Sequence, residues 1–299
     1  MKPTLLILAA GMGNRYWGLK QIDSFGPSWE TLLEYSIFDA HRAGFGKVVF
    51  VIRESFEQEF KEKVLTRLPK EILVEIVYQP VSIEIPWYGY VERTKPWWVA
   101  HAVLVAKDSI HEPFAVVNAD DYYGSESYGQ MVSFLNNEVS QTVCCMVSYV
   151  LRNTLSVYGA VNRWVCLVSD TGMLQDVQEH YNIVRHGDDA GIDKEWNILE
   201  WNSPVSMNFW WFDVSFFSIL EETFTQFLQE NHDQPSAECV LPRVVDRLIK
   251  NRAIACSVLK TDALRCGVTH SDDKPMVTEF FNTLVAAWKY PAPLRNDRV

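Results

Sequence analysis

Residues 4–10 read TLLILAA, apolar after the first position, and the run stops at Gly11. A short apolar run with no polar alternation predicts a strand buried on both faces, as in a parallel sheet. Residues 31–45 (TLLEYSIFDAHRAGF) place apolar side chains at helical spacing and end beside Gly44 and Gly46, which predicts a helix with a glycine stop. Lys47–Ile52 (KVVFVI) predicts a second buried strand, residues 55–68 a charged amphipathic helix, and residues 71–78 (EILVEIVY) a third strand. Residues 97–110 predict a helix and residues 113–118 (PFAVVN) a fourth strand. Strand and helix alternating in this order predict βαβ units and a mostly parallel sheet. The first ~125 residues therefore read as a nucleotide-binding α/β half.

The pattern changes after residue 125. Residues 142–150 and 160–168 are β-rich, and residues 205–212 (VSMNFWWF) predict another strand. Residues 223–231 and 241–251 have helical spacing, residues 253–259 return to strand, and residues 274–288 predict a closing helix with Pro275 in its first turn. Residues 185–195 (RHGDDAGIDKE) gather helix breakers and charges and predict a mobile loop. The tail from residue 290 is Pro-rich and polar and is expected to fray. No repeat or interdomain linker is visible. The expectation is one domain over 1–299, Rossmann-like, with a mostly parallel mixed sheet flanked by helices. Its nucleotide-binding half is 1–125, and a β-rich half with the closing helices is 126–299.

Composition narrows the classes. Of 299 residues 48% are apolar and 22% charged, enough to bury a large core and to exclude disorder for the bulk of the chain. The balance of 27 basic against 38 acidic residues, net −11, argues against nucleic-acid or anionic-membrane partners but leaves room for a local phosphate site. The opening MKPTLLILAAGMG is too short an apolar run for a secretory signal, and no stretch reaches the ~18 residues of a membrane span. The six cysteines, Cys144, Cys145, Cys166, Cys239, Cys256 and Cys266, form no CxxC pair and mostly stand in apolar runs, the pattern of reduced core thiols. A cytoplasmic protein is expected. Aromatic patches at 209–212 and 216–217 suit either a core or a homo-oligomer interface.

The first turn, LILAAGMGNRYWGLK, carries Gly11, Gly13, Arg15 and Lys20. A buried strand delivers it to the carboxyl edge of the sheet, where ligands of such folds bind. Glycines let backbone N–H groups approach an anion, and Arg15 and Lys20 add fixed charge that suits a polyphosphate. A Walker loop fails because Lys20 is followed by Gln21, and a dinucleotide fingerprint fails because Tyr16 holds the third glycine position. A plain strand-to-helix turn with two incidental charges explains the same residues. No HExxH, His-Cys zinc spacing or GxSxG elbow occurs.

L-A-A-G-x-G-x-R followed closely by Lys resembles the signature of sugar-phosphate nucleotidyltransferases. The resemblance continues through KPWWVAHAVLVAKDSI and FAVVNADDYYG, similar to that family's base-contact loop, helix and metal-aspartate strand. VYGA at 157–160 resembles its sugar-side Tyr-Gly turn, and VSMNFWWF its central strand with a sugar-contacting Asn. LPRVVDRLI and GVTHSDDKPMVTEF resemble its late helix and closing segment, so the likeness spans nearly the whole chain in order.

What the resemblance implies is transfer of NMP from an NTP to a sugar 1-phosphate or a similar phosphorylated metabolite, giving an NDP-sugar and pyrophosphate. Attack of one anion on another needs positive charge and alignment more than a base. By resemblance Arg15, Lys20 and Asp120 are the catalytic residues, and Ala10, Gly11, Gly13, Gln79 and His101 bind the nucleotide. Tyr158, Gly159, Glu179 and Asn208 bind the acceptor, and Asp120 with Asp273 hold Mg²⁺, Asp121 and Asp272 being second choices. Simpler roles remain open for each. The two adjacent aspartates at 120 and 121 can merely open a turn, Asp273 can cap a helix, His101 can be a packed core histidine, and Asn208 a structural hydrogen-bonder.

Departures stand beside the resemblance. Trp17, Trp98 and Trp211 occupy positions where it implies glycine, Arg265 and Cys266 where it implies aromatics, and His180 where it implies lysine. The tryptophans motivate a second reading, a catalytically impaired relative that binds nucleotide or a partner. A glycosyltransferase using an NDP-sugar is a third, although its usual Asp-x-Asp is absent.

Overall fold

A computed structural model describes residues 2–11, 23–138, 140–187, 189–234, 236–264, 266–267 and 271–294. β1 (Thr4–Leu8) divides its side chains between two cores, Leu5 and Ile7 entering one and Leu6 the other. It is followed by α1 (Leu32–Ala43), β2 (Lys47–Ile52), α2 (Glu57–Lys63), β3 (Leu73–Tyr78), a hairpin of β4 (Ile83–Ile85) and β5 (Gly89–Val91), α3 (Val99–Leu104), β6 (Phe114–Asn118), β7 (Asp121–Tyr122) and α4 (Ser125–Glu138). The second half runs β8 (Val143–Val150), β9 (Val161–Val168), β10 (Leu174–His186), β11 (Ala190–Ile192), β12 (Ile198–Glu200), β13 (Pro204–Phe212), α5 (Phe216–Asn231), α6 (Leu241–Lys250), β14 (Ala255–Thr261), β15 (Cys266–Gly267) and α7 (Lys274–Ala286).

Among the described residues eleven strands join one mixed sheet, ordered β12-β11-β10-β9-β13-β6-β1-β2-β3, with β8 on β13 and β14 on β8. β6, β1, β2 and β3 are parallel neighbours. β13 reverses the direction, pairing antiparallel with β6, β8 and β9. The period-2 alternation of strand side chains fills two layers. Leu6, Val49, Val51, Phe114, Val116, Trp210 and Phe212 pack under α3, α5 and α6. Leu5, Ile7, Val48, Phe50, Ala115, Val117, Phe209 and Trp211 pack under α1, α2 and α4. This is the Rossmann-like mixed sheet, flanked by helices and extended by a β-rich second lobe, that the hydrophobic pattern predicts.

Local signals explain the element ends. Thr31 and Glu34 close a reciprocal capping box on α1, and Gly44 ends the helix at φ 107°. The helix expected over 55–68 is shorter, with single 3-10 turns on either side of α2, and the one expected over 97–110 ends at Leu104. The stretch 185–195 holds strand ends where a loop is predicted. β10 continues to His186 and β11 follows at Ala190, and the turn beyond is knotted by Asp193, which accepts from the Glu195 and Asn197 backbone N–H groups at 2.8 and 2.9 Å and from His180 Nδ1 at 2.7 Å. Phe209–Phe212, Phe216 and Phe217 are buried, so those patches belong to the core. The tail is held as far as residue 294: Tyr290 and Leu294 are buried in a third cluster with Tyr35, Tyr122 and Phe281. Cys144, Cys145, Cys166, Cys239 and Cys256 are buried. No helix among the described residues is long and apolar enough to cross a membrane.

That third cluster holds a carboxyl. Asp39 is 1% exposed, accepts from the Tyr290 hydroxyl at 2.6 Å, and has no partner at its other oxygen. Burial pushes its pKa up to about 7, against smaller opposing effects of Tyr290 and Arg42. The folded chain therefore holds the proton more tightly than the unfolded chain. This site's contribution is complete below about pH 4 and is lost as pH rises to about 7. Asp39→Asn should match wild type near pH 4 and be more stable at pH 8, by on the order of a few kcal/mol. Denaturant unfolding at both pH values tests this, and an equal difference at both contradicts it.

Candidate active site

The parallel strands deliver their carboxyl ends to one edge. Leu8 is paired with Val51 and with Asn118. The ladder runs one step further, Ala9 N–H donating to Val51 O at 2.8 Å and Ala119 N–H to Leu8 O at 3.1 Å. Ala10 is buried, and a Cβ at Gly11 would meet none of the described residues within 4 Å. Gly13, Arg15, Trp17 and Lys20 lie outside the described residues. Arg53, directly after β2, donates Nε to Ala10 O at 3.0 Å and tethers the start of the turn. Burial lowers its pKa.

Asp120 is half-buried just past β6 at the same edge, while Asp121 is buried and accepts from Asn118 Nδ2 at 3.1 Å. β15 pairs with β7, Gly267 opposite Asp121, which carries the late segment to the acidic turn. Asp273, 2% exposed before α7, accepts from Ser156 Oγ at 2.8 Å, and the same hydroxyl accepts from Tyr158 N–H at 3.0 Å. Asp273 and the exposed Tyr158 turn, with Gly159 next in the chain, are thus joined through Ser156. Lys274 stands 3.5 Å from Asp23, so the start of α7 also meets the segment that follows the first turn.

Gln79 is buried one residue past β3. Its N–H donates to Ile52 O and its Nε2 to Trp98 O, both at 2.9 Å. His101 is buried, its ring stacked 5.1 Å from that of Phe224, and burial lowers its pKa to about 4. The imidazole is a neutral core group, the packed alternative weighed for it above. Asn208 interrupts β13 with φ 60°, in the register shift between Ser206 and Trp210. Asn tolerates this region better than most residues. Its Oδ1 accepts from Trp210 Nε1 at 3.4 Å. Glu179 on β10 binds the Tyr181 hydroxyl and stands 3.4 Å from Arg243 of α6. His180 is turned to Asp193.

One buried phenol ties the acidic turn to β13. Tyr123 OH accepts from Asn118 N–H and donates to Met207 O, both at 2.9 Å, while Tyr149 OH donates to Tyr123 O at 2.8 Å. Burial holds the Tyr123 phenol far above its ordinary pKa, so it stays a donor. Arg53, Ser156 and Tyr123 were not among the residues singled out from sequence. Only Arg53 had a local signal, a cation at the end of a buried strand.

The profile of the nucleotidyl transferase family matches residues 4–180, more than half of the chain. The chain belongs to that family. No curated protein matches this nucleotidyl transferase. Among solved structures it is similar to the inositol-1-phosphate CTP transferase of T. maritima, at 14% identity and TM-score 0.64 over 95% of this chain and 96% of that one. It is also similar to a UDP-glucose pyrophosphorylase complexed with UDP-glucose, at 15% and 0.60 over 95% and 99%. A third is the UTP-bound UGPase of Acinetobacter baumannii, at 15% and 0.58 over 97% and 95%. At such identities the likeness shows the fold.

Tyr123→Phe leaves the Asn118 N–H and the Met207 carbonyl without their partner. Stability should fall by about 1–3 kcal/mol. An unchanged denaturation midpoint would contradict the clamp.

Proposed function

We propose that this nucleotidyl transferase moves NMP from an NTP to a sugar 1-phosphate or a similar phosphorylated metabolite. An acceptor phosphate oxygen bonds to the α-phosphorus, the bond from that phosphorus to the β-phosphate oxygen breaks, and pyrophosphate leaves. The observation that carries the reading is the edge itself: the turn after Ala10 and the Asp120 turn leave adjacent parallel strands at paired register. Family membership and neighbours with UTP and UDP-glucose bound support it.

Arg15 and Lys20, at the turn, would hold the triphosphate and stabilise the departing pyrophosphate. Gln79 and the backbone at residue 98 would meet the base. Tyr158, Gly159, Glu179 and Asn208 would face the acceptor. Among the described residues no group of three or more His, Cys, Asp or Glu could hold a metal by itself. Asp120 and Asp273 offer hard carboxylate oxygens, and Mg²⁺ commonly takes one or two carboxylates with the rest of its shell from phosphates and water. The donor set fits an ion that arrives with the nucleotide. Bound there, Mg²⁺ would neutralise charge on the phosphates.

Pyrophosphate release, measured across four NTPs and a panel of phosphorylated acceptors, should require Mg²⁺, one NTP and one acceptor. Asp120→Ala should lower it by roughly 100-fold or more with the fold retained, and Lys20→Ala should lower it strongly. Turnover surviving Asp120→Ala would sink the metal role.

A further inference from the structure

Trp98 stands before α3 with φ 76° and ψ −160°. Glycine enters this region freely, and a side chain there is strained. The residue is nevertheless a tryptophan, 41% exposed, whose carbonyl holds the Gln79 amide. The backbone bonds around it hold the conformation whatever the side chain: Ala102 N–H donates to the same oxygen at 3.1 Å, and Ala100 N–H to Cys239 O at 3.0 Å.

A base read by Gln79 and by the backbone of residue 98 must approach that backbone to about 3 Å. With glycine the approach is open. Tryptophan adds Cβ and a large, 41% exposed ring to the residue whose carbonyl holds Gln79. We propose that Trp98 obstructs the base pocket and that residue 98 sets nucleotide affinity in this chain. The proposal rests on the nucleotidyltransferase reading above.

Calorimetry with the four NTPs and Mg²⁺ on the full chain tests it, using wild type, Trp98→Gly, Trp98→Phe and Trp196→Gly. Trp98→Gly should bind its NTP on the order of tenfold tighter, because the side chain no longer stands in the way of the base. It should also melt higher. Trp98→Phe, which keeps Cβ and a ring, should gain less than Trp98→Gly, and Trp196→Gly should keep wild-type affinity. Equal affinity in wild type and Trp98→Gly overturns the obstruction and leaves the nucleotide reading standing. Weaker binding by Trp98→Gly overturns it in favour of an indole that stacks on the base. A lower melting temperature of Trp98→Gly overturns the glycine character of the position. Binding by none of the four overturns the nucleotide reading, and the obstruction with it.

A second inference rests on three other tryptophans. Trp29, Trp196 and Trp288 have φ 70°, 66° and 59° and are 75%, 82% and 93% exposed. Bulky residues rarely adopt such φ. Trp288 makes the comparison direct. Lys289 N–H donates to Leu284 O at 3.0 Å across it, as Phe45 N–H donates to Ala40 O at 3.0 Å across Gly44. One helix stop thus uses glycine and its twin tryptophan. Trp196 holds the turn between β11 and β12, its N–H on Asp193 O at 3.1 Å, a place where hairpins favour glycine. The chain has 14 glycines in 299 residues, below the average usage of about 7%, and 11 tryptophans. We infer that these positions, and Trp98 with them, are encoded by a codon with two meanings, such as UGA, read as tryptophan in one genetic code and glycine in another, and that the source cell inserts glycine; the obstruction at residue 98 then belongs to the tryptophan form, and Trp98→Gly is the form the cell makes. Sequencing the gene tests it. UGA is expected at the codons for Trp29, Trp98, Trp196 and Trp288, and UGG at those for Trp97 and Trp210, which are fully buried without positive φ. UGG at all six overturns it.

Discussion

The candidate site depends on the parallel register of β1 between β2 and β6. Because Leu8 pairs with both Val51 and Asn118, three strands end within one residue of each other, and whatever follows them is held at one edge. The register is strongly specified because β1 is buried on both faces. A slip of one residue would move Leu5 and Ile7 into the core now filled by Leu6, and Leu6 into theirs. Packing in the interior therefore positions chemistry at the rim. Arg53 extends this order past the last strand bond by fixing Ala10.

The second lobe is tied to that edge through β13, which pairs with β6 on one side and with β8 and β9 on the other. Its regular ladder breaks where Asn208 takes φ 60°. The break falls next to Met207, whose carbonyl takes the Tyr123 hydroxyl. The acidic turn after β6 and the bulge of β13 are thus neighbours through a single buried phenol. A shift of one would leave a buried donor or acceptor without a partner, so the two halves of the site move together or not at all.

What could be read from the sequence follows from the range of the interactions. Strands of the first half were clear because burial on both faces leaves a continuous apolar run, and Lys47–Ile52 matches to the residue. The stretch 185–195 was misread because Gly and Asp mark hairpins as well as loops, and what orders it is Asp193 gathering donors from its own turn and from His180. The glycine turn and Asp120 were visible as local patterns at strand ends. Ser156 and Tyr123 were not, because their partners lie 117 and 84 residues away. Nothing in the neighbouring sequence announces such a hydroxyl.

Backbone conformation is a separate record of what a position requires. At Trp98 two helix-start bonds and the Gln79 amide fix φ and ψ from outside, so the strain of the side chain is carried by the surrounding network. Removing the side chain leaves every one of those bonds in place. The Cβ that disfavours the backbone angles is carried by the same residue whose carbonyl holds the Gln79 amide. In a fold whose edge is set by parallel strands buried on both faces, a change at such a residue leaves the architecture in place.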